Sequence, residues 1–218
     1  MSWLLRALTS HTGRKFLAAI TGLGLVAFLI VHLIGNLQIF SNSSAFDDYA
    51  RNLHSGLLIV LGDVGLMIAF PLHIACVIWL AIDNRKARGD TGYKVHGTKQ
   101  KRSMAEVLAS KTTLYGGLVL LVFVTIHVLQ FRIGHDVFHG SLRDALIETL
   151  RKPMWALLYI VGSLVVGWHM FHGIQAAFRS VGAWHARYTP IIVKSGLALS
   201  VILAVGFASI PVWILLVK

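Results

Sequence analysis

Five long apolar runs constrain this chain more than any other feature of its sequence. They cover roughly residues 16–40, 57–82, 112–133, 154–178 and 191–217. A helix needs about 20 apolar residues to cross the hydrocarbon core of a bilayer. Backbone in lipid must satisfy its own hydrogen bonds, and these runs are too long for barrel strands. The sequence therefore predicts an all-α integral membrane protein, with 1–218 as one domain of five transmembrane helices.

The composition agrees with a membrane protein, since 56% of the residues are hydrophobic and 13% are charged. Basic residues precede the first run as in a secretory signal peptide, but the run is too long and no A-x-A-like site closes it. We expect a retained helix. Cys76 is the sole cysteine, so disulfides, CxxC metal pairs and a C-x-x-C-H haem attachment are excluded. Any cofactor is held noncovalently.

The formal charge of +11 follows membrane topology and does not indicate nucleic-acid binding. With a cytoplasmic N-terminus, 14 of the 20 Lys and Arg residues fall in inner segments. The positive-inside rule therefore predicts an inner N-terminus and an outer C-terminus. The basic connection 83–111 is explained by topology and anionic lipid headgroups, with docking of a cytoplasmic partner as the alternative.

Four histidines lie at matching positions in the first four runs. His32, His73, His127 and His169 each follow the start of their run by 15 or 16 residues. Because alternate helices cross in opposite directions, His32 and His127 form an outer pair, and His73 and His169 form an inner pair. With a rise of 1.5 Å per residue, the two levels lie about 13 Å apart.

An ionisable residue inside a membrane is a functional hypothesis, although a single histidine there is more often a hydrogen-bonded core residue or a proton relay. Two pairs matched in depth are harder to explain by packing. Bis-imidazole ligation of haem between helices suits two ligands at each level. Zinc fits less well, because each level offers only two ligands.

Four motifs resemble a known family. They are LTSHTGRKFLAAITGLGLVAFLIVHLIGNLQIF followed by DDYARNL, FPLHI, FVTIHVLQFRIG, and WHMFHGIQAAFRSVG. The chain resembles the dihaem cytochrome b subunit of succinate:menaquinone oxidoreductases and fumarate reductases over nearly its whole length, most specifically in the first and fourth motifs. The resemblance is weakest in the fifth run and in 83–111.

The resemblance implies a five-helix, haem-binding anchor in a bacterial-type inner membrane. It implies two b haems, one held by His32 and His127 and the other by His73 and His169. Electrons would come from a cytoplasmic iron–sulfur subunit, itself fed by a flavoprotein subunit, and pass to menaquinone or another quinone. No dicarboxylate site is expected in this chain. His172, one turn beyond His169, is the less favoured ligand to the inner iron.

Other polar residues are candidates for the surroundings of the cofactors. Asp63 is either a quinone-binding or proton-handling acid, or an aspartate near a helix start that reaches water or caps a neighbour. The other outer candidates are Asn36, Gln38, His54, Gln130 and Arg132. The inner candidates for haem propionates are Ser10, Arg14, Lys15, Gln175 and Arg179. Snorkelling to headgroups is the simpler explanation for each inner Arg or Lys taken singly.

Two other functions remain open from the sequence. One is a dihaem cytochrome b anchor of another dehydrogenase, of the hydrogenase or formate dehydrogenase type. The other is a proton-coupled transporter whose membrane histidines relay protons. A reducible b-type absorption spectrum excludes the transporter, and co-purifying flavin and iron separate the two dehydrogenase anchors.

Overall fold

The computed structural model describes residues 2–41, 45–54, 57–89, 103–133 and 141–217, and these ranges contain helices but no strand. The helices are α1 (Trp3–Thr9), α2 (His11–Asn36), α3 (Ala45–His54), α4 (Leu57–Arg88), α5 (Met104–Val128), α6 (Leu142–Leu150), α7 (Pro153–Ser180) and α8 (Thr189–Leu216). A 3₁₀ turn, Leu37–Phe40, extends α2, and a π-helical turn, Leu129–Ile133, extends α5.

Five of these helices, α2, α4, α5, α7 and α8, are long and apolar enough to cross a membrane. The prediction of an all-α membrane protein with five spans is confirmed. Most of the helices extend beyond the predicted runs at one end or both, and in α2 and α5 a polar cap sets the earlier start. Ser10 caps α2 by accepting a hydrogen bond from the Gly13 amide, and Ser103 forms a capping box with Glu106 at the start of α5.

Three short helices were not predicted. α1 precedes the first span, whereas α3 and α6 pack together beside the spans. Asp47 on α3 joins the latter two by accepting hydrogen bonds from the Ser141 hydroxyl and from the Arg143 amide. Buried side chains from both helices, Phe46 and Leu150 among them, continue the core between the ends of α7 and α8. Residues 90–102 of the predicted 83–111 connection lie outside the described residues, and its two ends belong to α4 and α5.

Helix α7 is the centre of the bundle and packs against α2, α5 and α8. Its tightest contact is with α8, where a Cβ added to Gly167 would lie 2.6 Å from Cβ of Ala204 and 2.9 Å from the Ser200 carbonyl oxygen. Small residues allow such close approach between helices in lipid, where apolar burial gives no net attraction.

Helix α4 has a different environment. It packs along α2 and makes few contacts with α5. Large apolar side chains on its outer surface are exposed, including Met67 at 77% and Ile68 at 62%. A membrane helix with one main neighbour presents such side chains to lipid, so its position depends on a small number of specific contacts.

Candidate functional site

The structure brings together the imidazoles of the outer pair. The ring centroids of His32 on α2 and His127 on α5 are 5.8 Å apart, and the ring planes are nearly perpendicular at 83°. The two helices therefore present their histidines at one level, as their positions in the sequence predict.

Aromatic rings surround this pair. Phe28 stacks on His32 at 5.1 Å, and Phe207 on α8 lies 5.7 Å from the same ring. Three further rings lie within 6.2 Å of His127: Phe123, Phe131 and Tyr159. Phe207 was missed by the sequence analysis, because one phenylalanine in an apolar run carries no distinguishing signal.

The His127 ring has an unmet polar requirement. Its Nδ1 atom is buried and has no hydrogen-bond partner among the described residues. A buried polar atom without a partner is costly and indicates that a further group belongs beside it. An iron ion bound by the imidazole is such a group, and the apolar rings around the pair suit a flat macrocycle, so the residues around the outer pair fit a haem.

The inner pair is built differently. Nδ1 of His73 lies 3.0 Å from the Ala18 carbonyl oxygen and 3.3 Å from the Thr21 hydroxyl, both on α2. Donation from Nδ1 to the carbonyl leaves the lone pair on Nε2, which is the tautomer of a metal ligand. The buried Nδ1 atom of His169 has no hydrogen-bond partner in the part of the chain that the structure describes.

Two glycines lie against the inner rings. A Cβ added to Gly22 on α2 would lie 3.0 Å from Cε1 of His73, and one added to Gly117 on α5 would lie 3.4 Å from Cε1 of His169. Gly22 and Gly117 each precede the outer histidine of their own helix by ten residues. Ten residues of helix correspond to about 15 Å, which resembles the spacing expected for the two levels.

Two of the outer quinone candidates make hydrogen bonds to other groups of the protein. Nδ2 of Asn36 donates to the His32 carbonyl oxygen at 2.7 Å. Oε1 of Gln130 accepts a hydrogen bond from the Tyr159 hydroxyl at 2.7 Å. The sequence analysis missed Tyr159, although a tyrosine in an apolar helix needs a partner for its hydroxyl and could have been singled out on that ground.

Asp63 forms an ion pair that the sequence analysis did not anticipate. Its Oδ2 lies 2.6 Å from Nη2 of Arg132, with side-chain exposures of 35% and 57%. The two residues join α4 to the π-helical turn that follows α5. His54 ends α3, but its side chain lies outside the described part of the chain.

The inner candidates also have protein partners. Nη1 of Arg14 donates to Oδ2 of Asp83 at 2.7 Å, and its guanidinium lies 5.2 Å from the Trp79 ring centroid. Ser10 acts as the cap of α2. Lys15 is exposed and His172 is half-buried.

Gln175 is 1% exposed and is held within its own helix. Its Nε2 donates to the Phe171 carbonyl oxygen at 3.2 Å, and its Oε1 accepts from Nη2 of Arg179 at 3.3 Å. The Arg179 guanidinium also lies 4.1 Å from the Trp184 ring centroid. These contacts connect the C-terminal part of α7 to the segment that follows it.

No family model matches the chain, and no solved structure matches it at a significant level. The chain is similar to a curated protein of Archaeoglobus fulgidus named succinate dehydrogenase hydrophobic membrane anchor subunit. The two are 31% identical over 83 residues, which cover 38% of this chain and 68% of the relative. This likeness agrees with the five apolar spans, and the chain belongs to the family of succinate dehydrogenase membrane anchor subunits.

Proposed function

We propose that this anchor is the dihaem electron-transfer subunit of a succinate:quinone oxidoreductase or fumarate reductase. It would pass electrons between an iron–sulfur subunit and menaquinone or another quinone. The observation that carries the proposal is the arrangement of histidines at two levels. His32 and His127 face each other at 5.8 Å, and the rings of His73 and His169 lie against Gly22 and Gly117, each ten residues before the outer histidine of its helix.

The chain would hold and orient the cofactors. Two b haems, when bound, would supply one-electron redox chemistry at the two levels. The hydrogen bond from His73 to Ala18 fixes the imidazole tautomer and ring orientation. The rings around His127 keep the outer level apolar, which is one of the factors that tune a haem's potential.

We place the quinone site at the outer level. Quinone reduction needs protons from titratable groups within hydrogen-bond reach, and Asp63 is a carboxylate at that end of α4. Two inner groups that could polarise a quinone carbonyl are already engaged, since Arg14 is paired with Asp83 and Gln175 is buried and bonded within α7. The outer groups Asp63, Asn36 and Gln130 are engaged as well, so the choice of the outer level rests on the carboxylate of Asp63 as a group that can carry protons. Asn36, Gln130 and His54 are the other proposed outer contacts.

The partners follow from the same proposal. An iron–sulfur subunit and a flavoprotein subunit would dock on the cytoplasmic side of a bacterial-type inner membrane, where most of the basic residues lie. The relative's name favours succinate dehydrogenase over a hydrogenase or formate dehydrogenase anchor. Dicarboxylate chemistry would belong to those partners.

Anaerobic redox titration of the purified complex tests the proposal. We expect two b-type components with separate midpoint potentials, co-purifying flavin and iron, and a quinone that can be extracted and identified. A complex with one b haem or none contradicts the dihaem assignment. Two haems without co-purifying flavin or succinate turnover would instead indicate an anchor of another dehydrogenase.

Histidine variants test the pairing. His73→Ala and His169→Ala should remove the same inner spectral component, and His32→Ala and His127→Ala should remove the outer one, because each haem needs both of its axial ligands. His172→Ala is the matched control on α7 and should retain both components. If His32→Ala and His169→Ala removed the same component, the pairing would be wrong.

A further inference from the structure

A cluster of polar contacts joins the inner end of α4 to the start of α2. Oδ2 of Asp83 lies 2.7 Å from Nη1 of Arg14 and 3.7 Å from Nδ1 of His11. The Arg14 guanidinium also lies 5.2 Å from the ring centroid of Trp79, one helical turn before Asp83. His11 and Arg14 thus lie beside the Asp83 carboxylate, and Trp79 lies beside the Arg14 guanidinium.

This ion pair is more sheltered than an ordinary surface pair. The side chains of Arg14 and Asp83 are 23% and 34% exposed, compared with 69% and 53% for Arg51 and Asp48 on α3. Exposed pairs contribute little because water and salt screen them, whereas sheltered pairs are screened less. The Arg14–Asp83 pair is therefore able to influence how the two helices sit.

Helix α4 is sensitive to such a contact. Its long packing surface is with α2, and it touches α5 at few points. In lipid, apolar side chains gain little from choosing a protein neighbour over a lipid tail, so polar contacts and close packing set the register between helices. A loss of the inner contact leaves α4 fewer constraints against sliding or turning on α2.

The Arg14–Asp83 ion pair and the hydrogen bond from His73 to Ala18 both join α4 to α2. Arg14 precedes Ala18 by four residues on α2, so the two lie on one face of that helix. On α4, Asp83 follows His73 by ten residues, which is about 15 Å along the axis. A slip of one residue would move His73 by about 1.5 Å and turn it by about 100°.

We propose that Arg14 and Asp83 form a register clamp that positions His73 for the inner haem. The proposal rests on the proposed function for the role of His73 as a ligand. In this proposal Arg14 pairs with Asp83 and acts as a positioning residue. This role replaces the expectation that Arg14 contacts a haem propionate directly. The contact would act through α4, since among the described residues no hydrogen bond or ion pair joins either side chain to the His73 ring.

A charge-swap cycle in the purified complex tests the clamp. The variants are Asp83→Asn, Arg14→Gln, and the double variant Arg14→Asp with Asp83→Arg. We expect each single variant to release the inner haem roughly tenfold faster, because a charge-assisted hydrogen bond is lost. The double variant should recover most of the inner spectral component, and the outer component should be unchanged in all three.

Two further variants serve as controls. Asp48→Asn on α3 breaks an exposed pair and should leave both components unchanged. Asp83→Glu keeps the charge and should keep the inner component if Asp83→Asn prevents assembly. The thermal midpoint of the helical circular-dichroism signal gives a second reading of the cycle, which does not depend on haem. Changes in that midpoint that are not additive between the single variants and the double variant support the clamp.

The clamp is overturned if Arg14→Gln loses the inner haem while Asp83→Asn keeps it and the swap restores nothing, because Arg14 would then act on the cofactor directly. It is also overturned if neither single variant changes the inner component. A wild-type complex without b haem contradicts the proposed function, and the thermal cycle still decides whether the two residues are coupled.

Discussion

Gly22 sets how closely the His73 imidazole approaches α2, and Gly24 on the same helix provides a comparison. At Gly22 an added Cβ would lie 3.0 Å from the His73 ring, whereas nothing lies within 4 Å of a Cβ added to Gly24. The two glycines share one helix and differ by two positions. They form a matched pair for separating crowding at the ring from changes in helix propensity.

Gly22→Ala should disturb the inner spectral component, because the new methyl group presses on the His73 ring. Both alanine variants gain helix propensity of up to about 1 kcal/mol, so that effect cancels in the comparison. We expect Gly24→Ala to retain the wild-type spectrum. Equal spectra for the two variants would show that the His73 ring moves aside without consequence. The measurement is the reduced-minus-oxidised spectrum at low temperature.

Asp63 combines an ion pair with a candidate role in quinone chemistry, and substitution can separate the two. Asp63→Asn should strongly lower quinone-linked turnover while leaving both haem spectra, and succinate oxidation with an artificial soluble acceptor, intact. Arg132→Gln breaks the same ion pair but keeps the carboxylate, so it should lower turnover much less. Equal losses would mean that the pair is structural, and near-normal turnover in Asp63→Asn would move the quinone site inward.

At the scale of elements, the π-helical turn Leu129–Ile133 connects the outer histidine level to the N-terminal part of α4. It follows His127 directly and carries Gln130, which meets Tyr159 on α7, and Arg132, which meets Asp63 on α4. A π-helical turn changes the angular spacing of side chains, and such turns are frequent at functional sites. This one short turn therefore makes side-chain contacts with both α7 and α4.

The contact between α7 and α8 depends on the absence of a side chain at Gly167. Gly167→Ala would bring a Cβ within 2.9 Å of the Ser200 carbonyl, a backbone atom that cannot rotate away. We expect a destabilisation of about 1–3 kcal/mol, typical of overpacking. Gly173→Ala, on the same helix with nothing within 4 Å, is the control. A shared thermal midpoint for the two variants would contradict close packing at Gly167.

At the scale of the whole molecule, the acidic residues of α4 mark its path across the membrane. Asp63 and Asp83 are 20 residues apart, with His73 midway between them. Twenty helical residues span about 30 Å, so the two aspartates lie far apart along α4, on opposite sides of His73. Each aspartate is paired with an arginine from another segment, so both charges on this apolar helix are compensated.

The topology is testable by thiol labelling in sealed inverted vesicles, on a Cys76→Ala background. We expect an impermeant reagent on the cytoplasmic face to label Arg88→Cys, because the positive-inside rule places the end of α4 there. Lys218→Cys should be labelled only after the vesicles are opened. Labelling of Lys218→Cys in sealed vesicles would overturn the orientation, and with it the assignment of the pair nearer to the iron–sulfur partner.

The sequence alone determined the class of fold and the five spans, and it predicted that His32 and His127 lie at one level. These properties depend on local hydropathy and on the fixed rise of a helix, so they can be computed along a single segment. The expectation that His32 meets His127 needed only their equal depth and the direction of alternate helices.

Only the tertiary structure decided which polar groups meet. Arg14 pairs with Asp83, and Arg132 pairs with Asp63, each across 69 residues of sequence. Tyr159 likewise finds Gln130 on another helix. Such pairings depend on how each helix is rotated and on which helix lies beside it. In lipid that rotation is decided by close packing and by the polar contacts themselves, and neither leaves a periodic signal in the sequence.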